Sequence, residues 1–200
     1  MARRATTTWL VTTALAIACL RVRVVHAEQP DLGAPSSPVM APSIGGLHPG
    51  QDTFAIARGI LGNATEHYGG HLGNWSCWRG KDGAKLIILR NRELGMGDAM
   101  NSVVLLARSE KGWPGPPDLP VPLVGDCSND APVSRRMRAG PLALGMTIEE
   151  MQHHLGEPSE REGEVVTWEH TSKARGRFGF SAHLRGGRAV GLLAYSGWLE

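Results

Sequence analysis

One ordered series of signals occurs twice in this chain, and that recurrence constrains its fold more than any single motif. In the second half, Gly145-Met146-Thr147 opens a helix that stops at Leu155-Gly156-Glu157-Pro158. A Trp-bearing strand from Val165 to His170 follows, then an aromatic strand from Arg177 to Leu184, then Leu192-Leu193-Ala194-Tyr195-Ser196. In the first half, Gly50-Gln51-Asp52-Thr53 opens a helix that stops at Leu61-Gly62. Strands over Trp75 to Arg79, Lys85 to Arg90 and Ser102 to Arg108 follow, the last containing Leu105-Leu106-Ala107-Arg108-Ser109.

The local chemistry supports each element. Asp52 is the expected N-cap of the first helix and Gly62 its stop. Thr147-Ile148-Glu149-Glu150 forms a capping box: the Thr hydroxyl accepts from the Glu150 amide while the Glu150 carboxylate reaches back. Strand alternation puts Phe178, Phe180, Ala182 and Leu184 on one face, assigned to the core, and Arg177, Gly179, Ser181 and His183 on the other. The predicted fold is α+β: two tandem repeats, each with helical segments packed on one face of a three- to four-stranded antiparallel sheet.

The first residues read as an export signal. Arg3 and Arg4 precede an apolar run from Trp9 to Leu20, and Val25-His26-Ala27 offers small residues for cleavage. This run is too short for a membrane span. Ala16-Ile17-Ala18-Cys19 gives a competing reading, a degenerate lipobox that would place a lipid anchor on Cys19. The whole chain carries a formal net charge of +2. Cleavage after Ala27 removes Arg3, Arg4, Arg21 and Arg23 and no acid, which turns the balance to −2. The basic character belongs to the leader, so it is no argument for nucleic-acid binding.

The expected organisation is a signal peptide over 1–27, a flexible tether rich in Pro and Ser over 28–46 and a first repeat over 47–110. A Pro-rich connector over 111–141 and a second repeat over 142–200 complete it. Cys77 and Cys127 remain after cleavage, and an even, low cysteine count in an exported chain predicts one disulfide.

The run Leu144-Gly145-Met146-Thr147, Leu155-Gly156-Glu157-Pro158, Trp168 and Gly186-Gly187-Arg188-Ala189-Val190 resembles the SmpA/OmlA domain, the small lipoprotein of outer-membrane barrel assembly. Two such units in tandem are similar to the β-lactamase inhibitory protein family. The resemblance implies a helical pair on a small sheet in each unit, and a sheet surface that grips a partner protein.

No convergent catalytic set is legible. His67 and His71 are four apart but lie beside Gly69, Gly70 and Gly73, which argues for a loop and against a helical metal site. His153 and His154 are helix neighbours and point about 100° apart. Ser76, Ser181, His183 and Asp126 supply hydrolase residue types without a nucleophile elbow. The expectation is therefore a periplasmic or secreted module with no catalytic, metal or cofactor residues. It binds a protein partner as an envelope factor or as an inhibitor of an extracytoplasmic enzyme. The alternatives are a structural accessory of outer-membrane assembly and a small secreted hydrolase. Trp78 and Trp168 are expected in the core. Trp75 and Tyr195, with Arg177 and His183, are expected on an exposed, partner-binding sheet face; the equal alternative is that the Pro-rich connector covers Trp75, with Cys77 beside it on the same face.

Overall fold

Thr53 starts the first helix, α1 (Phe54–Leu61), with its hydroxyl accepting from the Ile56 amide. Asp52, the expected cap, instead accepts from the His48 amide at 2.7 Å. Gly62 ends the helix with φ at 83°, a backbone region open to glycine. The second helix, α2 (Ile148–Leu155), carries the expected capping box on Thr147 and Glu150 and stops at Gly156. These features belong to a computed structural model that describes residues 42–68, 74–90, 98–114, 127–173 and 176–197. The leader, Cys19, the tether up to residue 41, His71 and Asp126 lie outside the described residues.

Ten strands accompany the helices. They are β1 (Glu66–Tyr68), β2 (Asn74–Arg79), β3 (Lys85–Arg90), β4 (Ser102–Leu106), β5 (Arg138–Ala139), β6 (Leu142–Ala143), β7 (Glu160–Glu162), β8 (Val165–Ser172), β9 (Gly176–Arg185) and β10 (Arg188–Gly197). Eight of them form one antiparallel sheet in the order β1-β2-β3-β4-β10-β9-β8-β7, and β5 and β6 form a separate hairpin.

This architecture corrects the predicted fold class. The two segments do not make separate helix-on-sheet repeats. Strand β4 pairs with β10 from Gly191↔Leu106 to Tyr195↔Ser102, which fuses all the long strands into one sheet. Each segment contributes one eight-residue helix, not a helical pair. The physical reason is edge satisfaction. Two separate small sheets would each leave a long apolar edge strand unpaired, and pairing β4 with β10 removes both edges. The outer edges that remain are β1 and β7, of three residues each.

Both faces of this sheet are covered. On the first face, Phe54, Ala57 and Leu61 of α1 and Met151 of α2 pack over Trp78 and Trp168, which are buried as expected. The helices are too short to cover that face alone. Ile44, inside the stretch read as tether, is fully buried there and bridges Leu47 and Ala139. The β5–β6 hairpin adds Ala139 and Leu142. On the second face, Cys77, Ile87, Val104 and Leu193 line up across the register and pack with Trp113 and Cys127 from the connector.

The connector is held by more than packing. Cys77 and Cys127 form the expected disulfide, closing a separation of 50 residues. Beside it, the Ser128 amide donates to the Cys77 carbonyl at 3.0 Å and the Arg79 amide donates to the Ser128 carbonyl at 2.7 Å. β1 pairs only with Asn74 to Ser76, so the connector covers the part of the β2 edge that β1 leaves open. Among the described residues no helix is long and apolar enough to cross a membrane.

Candidate partner-binding site

Alternation places Trp75, Arg177, His183 and Tyr195 on the second sheet face together, as the sequence predicts. Their exposure differs from the expectation. Trp75 and Tyr195 are buried, at 7% and 3% exposure. Trp75 stacks on His67 at 4.1 Å between ring centres and joins the cluster of Cys77, Trp113 and Cys127. Neither aromatic ring is free to anchor a partner, because connector residues pack over this face, the alternative that the sequence offered for Trp75.

Two glycines shape what remains of this face. Gly179 stands between Tyr195 and Glu169 in the register. With no side chain in the way, the Tyr195 hydroxyl donates to Glu169 Oε2 at 2.8 Å. Arg177 Nε donates to Glu169 Oε1, also at 2.8 Å. Burial first, and then the adjacent carboxylate, push the Tyr195 phenol far above its ordinary range, so it stays a neutral donor. The hydrogen bond to Glu169 raises Arg177 as well. Gly191 is the second gap: the Trp113 ring lies over it, about 3.1 Å from where a Cβ would stand.

His183 belongs to a different cluster. Its Nδ1 lies 3.6 Å from Glu110 Oε2 and its Nε2 lies 3.5 Å from Glu164 Oε2. Glu110 was not singled out by sequence reading, yet it is buried at 3% exposure. Its carboxylate pairs with Arg185 at 2.9 Å and its carbonyl accepts from Lys85 Nζ. Burial first, then the charge of Arg79, hold the Lys85 ammonium below its ordinary range, against the pull of Glu110. Trp113 meets His183 edge-on, and its indole N–H has no hydrogen-bond partner among the described residues. Glu110, Trp113, His183 and Arg185 line a cavity of about 370 Å³.

The other titratable and hydroxyl groups read from the sequence are scattered. Ser181 hydrogen-bonds Thr167 at 2.9 Å, and Ser76, on the opposite sheet face, is buried with no hydrogen-bond partner for its hydroxyl among the described residues. His153 and His154 are exposed neighbours on α2. Among the described residues no group of three or more His, Cys, Asp or Glu side chains is placed to hold a metal ion.

A further concave surface lies at one end of the sheet. The β2–β3 and β9–β10 hairpins both turn there, and β4 exits there. Each brings basic residues: Arg79 and Lys81, Arg185 and Arg188, and Arg108. Arg135 joins them from the connector, where its amide and Ser134 hold the Asp82 carboxylate. Arg108, Arg135, Arg185 and Arg188 border a groove of about 900 Å³, floored in part by Ala84, Leu144, Ala189 and Val190. A smaller depression of about 400 Å³ between Arg79, Lys81 and Arg108 continues it. Sequence reading missed this site although its signal is present. Arg79-Gly80-Lys81 and Arg185-Gly186-Gly187-Arg188 are basic pairs flanking turns, and only the strand order shows that both turns lie at the same end.

No protein-family model, curated protein or solved structure matches the chain.

Proposed function

We propose that the chain is an exported, non-catalytic protein-binding module, an envelope factor or an inhibitor of an extracytoplasmic enzyme. In this reading the partner docks at the groove end of the sheet. The observation that carries it is the groove itself. It is built from two tight hairpins, a strand exit and a connector clamped by the Cys77–Cys127 disulfide, so its walls sit on rigid elements. Its arginine border and apolar floor are the surface chemistry that protein interfaces favour. The export component rests on Arg3, Arg4, the run from Trp9 to Leu20 and Ala27, and the disulfide is consistent with an oxidising compartment. The resemblance of the Leu144 to Val190 stretch to the SmpA/OmlA domain also supports envelope work.

Site-specific photo-crosslinking in the producing cell tests the proposal. A benzophenone side chain at Val190, in the groove, is expected to capture a discrete envelope protein. The same group at Gln152, on α2, is expected to capture none. Absence of any protein adduct from Val190 overturns the docking site.

A further inference from the structure

We propose that the groove recognises an acidic, extended segment of the partner, with carboxylates held by the arginine border and an apolar side chain seated on the floor. This inference rests on the protein-binding reading above and gives that reading its partner chemistry. Arg108, Arg135, Arg185 and Arg188 line the groove against a single carboxylate, Asp82. This concentration stands out on a chain whose predicted mature form is net acidic, so it reflects local placement and not overall composition.

Asp82 is already occupied by the Ser134 hydroxyl and the Arg135 and Ala84 amides. Arg185 is tied to Glu110, and Arg188 donates to the Gly145 carbonyl at 2.9 Å. The guanidinium groups of Arg108 and Arg135 have no hydrogen-bond partner among the described residues, and both residues are exposed. The Arg108 stem is nevertheless positioned, because it packs over Gly83, where a Cβ would lie 2.8 Å from it. A fixed stem with an unused guanidinium fork suits bidentate capture of a carboxylate.

The apolar floor of Ala84, Leu144, Ala189 and Val190 gives a nucleic-acid backbone or a lipid phosphate nothing to bind. It does accept an apolar side chain lying between acidic ones. The volume of about 900 Å³ exceeds what a lone phosphate fills and suits several residues of extended chain.

Fluorescence anisotropy on the full exported chain tests this, with a fluorescein-labelled peptide of glutamates flanking one leucine as the probe. The peptide is expected to bind the wild-type protein. Arg108→Glu and Arg135→Glu are each expected to weaken it by roughly tenfold or more. Lys173→Glu, at the opposite end of the sheet, makes the same charge change and is expected to leave binding within about twofold. Failure of the peptide to bind, or equal weakening by Lys173→Glu, overturns the proposal. So does binding of duplex DNA or phosphatidylglycerol vesicles, lost in the same two variants, in place of the peptide. The Val190 crosslink separates the two levels. An envelope-protein adduct that excess peptide does not compete leaves the docking site standing and removes the acidic chemistry. Loss of both the adduct and peptide binding removes both.

Discussion

Tyr195 and Glu169 meet across an intervening strand, phenol oxygen to carboxylate oxygen at 2.8 Å, because the position between them is Gly179. The close packing is also local. A Cβ on Gly179 would stand 2.1 Å from the Trp168 carbonyl oxygen, a backbone atom that cannot swing aside. Gly179→Ala is therefore expected to destabilise the protein by about 1–3 kcal/mol, the usual cost of overpacking. Tyr195→Phe keeps the ring and removes only a donor to a charged acceptor, and is expected to cost about 1.5–3 kcal/mol. Denaturant unfolding of both variants measures this. A Gly179→Ala protein as stable as the wild type would show that the strands have slack to separate.

The Cys77–Cys127 disulfide joins the connector to β2, next to one edge of the sheet, over a separation of 50 residues. Loop-closure entropy puts its contribution at ~4 kcal/mol as an upper figure. The double variant Cys77→Ala with Cys127→Ala is expected to lose most of that and to expose Trp75 and Trp113, which the connector helps cover. Red-shifted tryptophan emission in the folded variant, together with a lower unfolding midpoint, is the expected result. Unchanged emission would mean that packing alone holds the connector.

Trp78 and Trp168 donate their indole N–H groups to the carbonyls of Gly62 and Gly156, at 3.0 and 2.9 Å. Each therefore satisfies a helix-end acceptor while filling the first-face core. Replacement of either by Ala is expected to cost about 3–5 kcal/mol. Trp75→Ala is expected to fall in the same range, because Trp75 is buried against His67 and the connector cluster. Thermal melts of the three variants decide this. A near-native melt for Trp75→Ala would return Trp75 to the surface role that strand alternation alone predicts.

What the sequence made legible follows the range of each interaction. Local signals carried the capping box at Thr147, the stops at Gly62 and Gly156 and the two faces of β9, since each depends on residues a few positions apart. The disulfide was also legible, from cysteine count and compartment. Two features were not, and a third is open on sequence alone. The β4–β10 seam pairs Leu106 with Gly191, and nothing local marks which strand edges meet. The cover on the second face, from Trp113 and Cys127, is the open one: an exposed Trp75 and a Trp75 under the connector are equal readings of the sequence, because the Pro-rich stretch has no strand periodicity of its own to place it. Glu110 reads as a surface acid beside Lys111. Its burial depends on Arg185 and Lys85, which reach it through strand pairing. The groove shares that dependence, because basic turns become one site only when topology sets them at the same end.

Glu66 on the outer edge strand supplies the pH prediction. Its carboxylate accepts from Asn74, lies 3.3 Å from Arg58 and pairs with the buried Arg90, which also pairs with Asp98. Burial alone would raise its pKa. The Asn74 hydrogen bond, the charge and hydrogen bond of Arg90 and the charge of Arg58 outweigh burial and hold it below the ordinary 4.5. The unfolded chain therefore takes up this proton first. The stabilisation is fully present above about pH 4.5 and is lost as pH falls through the lower folded-state value. Glu66→Gln removes the charge at every pH. It is expected to be less stable than the wild type near neutrality, by about 1–3 kcal/mol, since Arg90 loses a charged acceptor. In acid the gap between the two proteins is expected to close, because protonation gives the wild type the same neutral side chain. Unfolding midpoints of both across the acid range provide the measurement, and a gap that stays constant as pH falls would place the acid response in other carboxylates.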